Sequence, residues 1–239
     1  MCAGSKDGEF ETFKRLITET YPSGIVSIVS DTWDLWKVLR DYIPQLRDEI
    51  LRRDGKIVIR PDSGDPVKII CGDVDAIQYG PHKGALELLA LALGEKEGRI
   101  NNGGLIYGDG ISYQRCDEIL KGIRKKNFSI YNIVFGIGSY TYAYVTRDTY
   151  GFAMKATAVE RDGIAEAIYK DPITDDGGKR SLKGIPLVWE SELPGGPEYT
   201  VTTTNDPKLL NSCAFVKVFR NSELLVEESF KEIRKRVIS

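Results

Sequence analysis

Apolar positions along the chain switch repeatedly between helical and strand spacing. Phe10, Phe13, Leu16 and Ile17 recur at steps of 3, 3 and 1, which predicts an amphipathic helix over 10–21, stopped by Pro22-Ser23-Gly24. Residues 25–29 form a β-branched run broken only by Ser27, the pattern of a buried strand. Ser30-Asp31-Thr32 then has N-cap chemistry for a helix carrying Trp33, Leu35, Trp36, Val38 and Leu39. A charged helix is expected over 44–53, with Pro44 in its first turn. Ile57-Val58-Ile59 is a second β-branched run, broken at Pro61, and Asp62-Ser63-Gly64-Asp65 reads as a polar turn closed by Pro66.

The alternation continues. A helix is expected over about 82–93, ending at Gly94, and 98–104 reads as a polar loop. Leu105-Ile106-Tyr107 is a short strand ending in Gly108-Asp109-Gly110, followed by a helix over 111–125. A further strand over 130–135 ends in Gly136-Ile137-Gly138-Ser139-Tyr140. Four strands therefore finish in polar or glycine-rich turns, and β-then-α alternation predicts a parallel, barrel-like sheet with its working edge on one side. Beyond Arg147 the pattern changes to β-rich segments separated by Asp162-Gly163 and Asp175-Asp176-Gly177-Gly178, a small antiparallel section. A strand over 215–219 and a helix over 229–237 close the chain. The expected architecture is α/β: part of a parallel α/β barrel over 1–148, then a β-rich section over 149–239 that completes the domain and ends in a helix.

Composition narrows the class without naming the chemistry. With 239 residues, 41% hydrophobic and 28% charged, the chain is long enough for a substantial core and ordinary for a soluble domain. A net charge of −2 gives no reason to expect nucleic acid or an anionic membrane as partner. No apolar run reaches the ~18 residues that span a bilayer, and the N-terminus lacks signal-peptide character. The 4 cysteines are dispersed without a CxxC, which argues against zinc and disulfides and for a reducing cytoplasm. The single histidine, His82, rules out a multi-histidine metal site and reads as a residue at the mouth of a helix. No protein-built metal site is expected.

Candidate chemistry gathers at the strand ends. Arg60 suits a phosphate or carboxamide oxygen, and Asp62 suits ribose hydroxyls or a developing positive charge. The plainer reading of the two is an ion pair tying down a surface turn. Asp31 is either an N-cap or a second carboxylate facing the same ligand. The glycine turns allow backbone N–H groups to approach a phosphate. Arg147, Lys155, Lys170, Lys179, Arg180 and Lys183 look like a phosphate-binding set, yet acids match bases 7 to 7 over 147–183.

Six stretches taken together resemble the nicotinamide phosphoribosyltransferase family: GIVSIVSDTWD (24–34), IVIRPDSGDP (57–66), YGDGI (107–111), VFGIGSY (134–140), VTRD (145–148) and KDPITDDGGKRSLKG (170–184). The similarity runs in order from about residue 7 to the end. It implies a type II phosphoribosyltransferase, a homodimer with an α/β-barrel domain. Such an enzyme moves the phosphoribosyl group of PRPP to nicotinamide, giving nicotinamide mononucleotide (NMN) and pyrophosphate with Mg²⁺ assisting. By position, the resemblance puts Arg60 on the nicotinamide, Ser27 on its carboxamide and Asp62 on the ribose hydroxyls. It puts Asp31 in an acidic cluster near the reacting centre, making Asp31, Asp62 and Arg60 the catalytic set. Gly108, Asp109, Gly138 and Ser139 would hold the 5′-phosphate and ribose. Arg147, Lys155, Lys170 and Lys179 would reach phosphate and pyrophosphate across the dimer.

The chain departs from the family pattern at two points. Ala153 replaces a serine of the phosphate site. Family members are about twice as long, and this sequence matches their C-terminal half, without the histidine that takes up phosphate when ATP is coupled, the aromatic residues that sandwich nicotinamide, or an arginine and aspartate that help bind it. His82 does not align with that histidine. The alternatives are a non-catalytic phosphate- or nucleotide-binding fragment, one half of a split enzyme paired with a separate N-terminal half, and a relative using nicotinate.

Overall fold

Hydrogen-bond geometry links four of the expected strands into one parallel sheet. The structure, a computed structural model, describes residues 6–73, 83–145, 149, 154–174, 181–194 and 196–238. It divides into two units, the first comprising 1–156 with 168–181 and the second 157–167 with 182–239.

In the first unit, α1 (Glu9–Arg15) runs into a wide turn at Leu16–Thr20 and precedes β1 (Gly24–Val29). A helical run of α2 (Leu35–Lys37), a wide turn (Val38–Tyr42), α3 (Ile43–Gln45) and α4 (Arg47–Arg52) leads to β2 (Gly55–Arg60). Then come α5 (Pro66–Cys71), α6 (Ala85–Leu93), a small hairpin of β3 (Glu95–Lys96) and β4 (Arg99–Ile100), β5 (Gly103–Tyr107), α7 (Tyr113–Lys125) and β6 (Ile133–Phe135). The sheet order is β1-β2-β5-β6, all parallel. Each strand is added beside the one before it with no reversal, so all four carboxyl ends share one edge.

Register decides which side chains the sheet buries. Val26 pairs with Ile57 and Ile28 with Ile59, and these four join helix residues such as Leu39, Ile43, Ile70, Leu86 and Leu89 in one core. The intervening residues point the other way, because side chains alternate across a strand. Ser27, Val29, Val58, Arg60, Ile106 and Val134 therefore share the opposite face, where each is half-buried or exposed. Mixed burial on that face explains why β1 tolerates Ser27 inside an aliphatic run.

One buried cation closes the α1 end of this core. Arg53 is 7% exposed and donates to the carbonyls of Ile17, Tyr21, Ser23 and Gly24 at 2.7, 2.8, 3.3 and 3.1 Å. The last turn of a helix leaves carbonyls without intrahelical partners, and one planar guanidinium reaches several of them.

Several boundaries differ from the pattern reading, each for a local reason. Asp34, rather than Ser30-Asp31-Thr32, caps the helix after β1, accepting from the amides of Trp36 and Lys37 at 2.9 and 3.0 Å. Pro66 opens α5 instead of closing a turn: Asp65 is its N-cap, and proline at N1 sacrifices no hydrogen bond. The loop expected over 98–104 contains β4, the second strand of the small hairpin, and the start of β5. Residues 130–132 form a single 3₁₀ turn before β6.

The second unit is antiparallel. β7 (Ala158–Arg161) and β8 (Ile164–Ala167) turn at Asp162 and Gly163, with φ of 51° and 77°, the positive values that right-twisted hairpins require. β9 (Ile185–Leu193) pairs with β10 (Gly196–Thr204), and α8 (Phe230–Ile238) follows a short hairpin of β11 (Phe219–Arg220) and β12 (Glu223–Leu224). The strand expected over 215–219 is thus confined to its end. The mixed α/β composition, parallel sheet, antiparallel section and final helix match the expected class. Among the described residues, no helix is long and apolar enough to cross a membrane.

Replacing Arg53 with Met strips four carbonyls of their donor. The expected loss is about 2–3 kcal/mol, read as a lower urea midpoint with an unchanged m-value.

Candidate functional site

The strand ends that the pattern singled out lie next to one another. The ladder between β1 and β2 continues into Ser30, whose N–H donates to Arg60 O at 3.1 Å, and that between β5 and β6 into Gly136, whose N–H reaches Tyr107 O at 2.8 Å. A Cβ on Gly136 would come within 2.8 Å of Gly108 Cα. The two glycine turns therefore touch through backbone, and side chains there would force them apart.

Asp31 binds the first two strand ends together. It is fully buried and sits at the end of β1. Its Oδ2 accepts from the Asp62 N–H at 2.8 Å and from Ser63 Oγ at 2.5 Å, and its Oδ1 pairs with Lys170 Nζ at 3.1 Å. The N-cap alternative for Asp31 is replaced by this long-range role. The segment bearing Lys170 lies along 32–34: Asp171 N–H donates to Thr32 O at 3.1 Å and Ile173 N–H to Trp33 O at 2.9 Å. The Tyr169 ring meets Trp33 edge-on at 4.7 Å, and Thr174 Oγ1 lies 2.5 Å from Ser63 Oγ.

Tyr107, the last residue of β5, holds the same turn from the other side. Its hydroxyl donates to Ser63 O and Gly64 O at 3.0 and 2.8 Å. Burial, aided by the nearby carboxylates of Asp109, Asp31, Asp62 and Asp65, pushes the phenol well above its ordinary range, so it stays a donor. Gly64 adopts φ 83° within this turn, and the turn thus carries Asp62 on a rigid base.

Arg60 and Ser27 occupy the less buried sheet face rather than the strand-end network. Together with Glu9, Thr12, Phe13, Leu16, Tyr21 and the β1 residues Ile25, Val26, Ile28 and Val29 they line a cavity of about 340 Å³. Glu9 is 2% exposed, and its Oε1 has no hydrogen-bond partner. Burial pushes the Glu9 carboxyl up to about 7, against the lowering effect of the Tyr42 hydrogen bond.

Gly108 and Gly138 are exposed, and Asp109 and Ser139 half-buried, at the ends of β5 and β6. Lys155 is exposed beyond them. Arg147 and Lys179 lie outside the described residues, as do His82, Ala153 and Arg180. The structure thus brings together Asp31, Asp62 and Lys170 directly, and sets Arg60 and Ser27 on the adjoining face. The pattern reading did not assign roles to Ser63, Thr174, Tyr107 or Glu9. Ser63, Tyr107 and Thr174 all stood inside the quoted motifs, but nothing local signals their partners: Thr174 is 111 residues from Ser63. Among the described residues, no group of three or more His, Cys, Asp or Glu could hold a metal ion. Burial pushes the Cys71 thiol up to about 11, which leaves it unreactive.

A family model described as the nicotinate phosphoribosyltransferase (NAPRTase) family matches residues 4–223. The chain belongs to that family. It is similar to a protein named nicotinamide phosphoribosyltransferase from Acinetobacter baylyi, 46% identical over 253 aligned positions that cover 99% of this chain and 49% of the relative. Proteins of the same name from Mycoplasma pneumoniae and Xanthomonas campestris pv. campestris are 38% and 32% identical, over 77% and 96% of this chain and 42% and 48% of their own lengths. The chain spans about half the length of the curated relatives it matches. Within this family member, the strand-end network and the Arg60 face lie inside the matched region.

Removing the Tyr107 hydroxyl with Tyr107→Phe should cost about 1–2 kcal/mol and speed amide exchange across 63–65, measured by mass spectrometry. Glu9 generates a pH test. Its folded-state value near 7 exceeds the ordinary 4.5, so the folded protein retains a proton that the unfolded chain releases. The contribution is complete below pH 4.5 and is lost as pH rises through 7, by an amount on the order of 2–3 kcal/mol. Urea midpoints at pH 4.5, 6 and 8 should fall for the unmodified protein, and Glu9→Gln should flatten that part of the slope.

Proposed function

We propose that this chain supplies the ribose- and phosphate-handling portion of a nicotinamide phosphoribosyltransferase, which converts nicotinamide and PRPP to NMN and pyrophosphate in NAD salvage. The observation that carries this reading is the joined strand edge, where Asp31 fixes both the Asp62 turn and Lys170, in a member of this family whose relatives bear that enzyme's name. In this reading the parallel sheet is part of a barrel wall and the enzyme works as a cytoplasmic homodimer. The relatives' greater length supports a requirement for further polypeptide, as in a split enzyme.

In the reaction, the bond from the ribose anomeric carbon to the pyrophosphate oxygen breaks and a bond to the pyridine nitrogen forms. Positive charge builds on the sugar ring while negative charge leaves with pyrophosphate. Asp62, at the ribose hydroxyls, favours the first, and cations favour the second. Arg60 orients the base and Ser27 its carboxamide. Gly108, Asp109, Gly138 and Ser139 cradle ribose and 5′-phosphate, and the cations assigned to phosphate and pyrophosphate are Lys155 and Lys170, with Arg147 and Lys179 added from the sequence resemblance alone. Mg²⁺, when present, would be held by the substrate's phosphates rather than by a cage of this chain's residues, and would supply positive charge to the leaving pyrophosphate. ATP coupling is assigned to no residue of this chain. The base is nicotinamide rather than nicotinate because the relatives' names specify the amide.

The test is NMN formation from nicotinamide, PRPP and Mg²⁺, with this chain alone and with the part of the Acinetobacter baylyi relative that the match leaves uncovered. NMN should form on combination, and Asp62→Ala should lower kcat/KM by about 10²–10³-fold. Product from nicotinate but not nicotinamide would reassign the base. No product from either, with Asp62→Ala indistinguishable in PRPP binding, would refute the reading.

A further inference from the structure

The Asp31 network contains two hydroxyls whose direction can be deduced. An ionised carboxylate only accepts hydrogen bonds, so Ser63 must donate its one hydroxyl proton to Asp31 Oδ2 across their 2.5 Å contact. Ser63 then has no proton left for Thr174, and Thr174 Oγ1 must donate to Ser63 Oγ across the second 2.5 Å contact. The result is a one-way relay, Thr174 to Ser63 to Asp31, with Ser63 and Asp31 both fully buried. Asp31 in turn holds the Lys170 ammonium, whose side chain is 19% exposed. Thr174 and Lys170 lie on the same segment, further pinned where Ser181 N–H donates to Lys170 O at 3.0 Å.

We propose that Ser63 and Thr174 are positioning residues, whose hydroxyl relay fixes the Asp31 carboxylate so that it holds Lys170 in register with the Asp62 turn for binding pyrophosphate. The proposal rests on the phosphoribosyl-transfer reading above and adds to it the residues that set the site's geometry. Neither hydroxyl touches substrate. Without the relay, Asp31 Oδ2 keeps only the Asp62 amide, and the buried carboxylate can rotate, taking Lys170 with it. The arrangement explains why a buried serine follows Asp62, and why Thr174 packs against a turn 111 residues away.

Two measurements on the full chain test this. The first is lysine-selective NMR of side-chain ammonium groups. The Lys170 signal should be visible in the unmodified chain and in Thr174→Ser, which keeps the hydroxyl. It should vanish in Ser63→Ala and in Thr174→Val, where the ammonium exchanges freely with water. The second is calorimetric titration with magnesium pyrophosphate, in which Thr174→Val should bind about fivefold more weakly, the equivalent of one lost hydrogen bond, and Thr174→Ser within about twofold of the unmodified chain. An unchanged Lys170 signal in Thr174→Val would overturn the relay. A lost signal with unchanged pyrophosphate affinity would overturn its positioning role. The titration is run with the chain combined with the complementing part of the Acinetobacter baylyi relative. If that combination forms NMN but Thr174→Val binds pyrophosphate as the unmodified chain does, the positioning role falls and the transferase reading stands, while the NMR arm decides whether the relay exists.

Discussion

A carboxylate removed from water must find donors, and the strand edge of this protein is arranged around that requirement at Asp31. Leaving such a group unpaired inside a fold costs several kcal/mol. Asp31 meets the demand with an amide from 62, a hydroxyl from 63 and an ammonium from 170, drawn from two distant parts of the chain. The buried charge thus works as a geometric constraint. The end of β1, the turn after β2 and the segment at 168–174 must converge for the carboxylate to be satisfied.

Parallel strands in sequence order provide the frame on which that constraint acts. Because no strand reverses the order β1-β2-β5-β6, the polar turns after each strand fall along a single edge. One face of the sheet is sealed by helices through Val26, Ile28, Ile57 and Ile59, which leaves Ser27 and Arg60 to the other. Tyr107 joins the frame to the edge: its ring is buried in the core while its hydroxyl holds the backbone of the Asp62 turn. Glycines at 108 and 136 let the last two strand ends meet at backbone distance.

This division is what the proposed charge-separating reaction would require. A rigidly based carboxylate at Asp62 and a tethered ammonium at Lys170 present opposite signs on one edge, each held by contacts that do not involve ligand. Preorganised charges of this kind stabilise a polar transition state without reorganising when it forms. The stretches that carry the family resemblance hold both parts of this edge: the turn residues themselves and, within the same stretches, their supports Ser63, Tyr107 and Thr174.

The elements of the first unit were legible in the sequence because their causes are local. β-Branched runs, helical spacing and glycine or proline stops specify a segment from its own residues, and the succession of strand and helix implied a parallel sheet. The motif turns, with Arg60, Asp62 and Gly108-Asp109, were legible for the same reason. The fate of Asp31 was not. Ser30, Asp31, Thr32 and Asp34 are all able N-caps, and choosing among them depends on a partner 31 residues away at Asp62 and another 139 residues away at Lys170. Glu9 was likewise unremarkable in a helical pattern, and only packing made it a buried, half-satisfied acid. By itself, then, the sequence determined the strands, the helices and the chemistry offered at each turn. Tertiary structure decided which of those polar groups are held and which do the holding, because hydrogen bonds between distant segments leave no periodic trace in the chain.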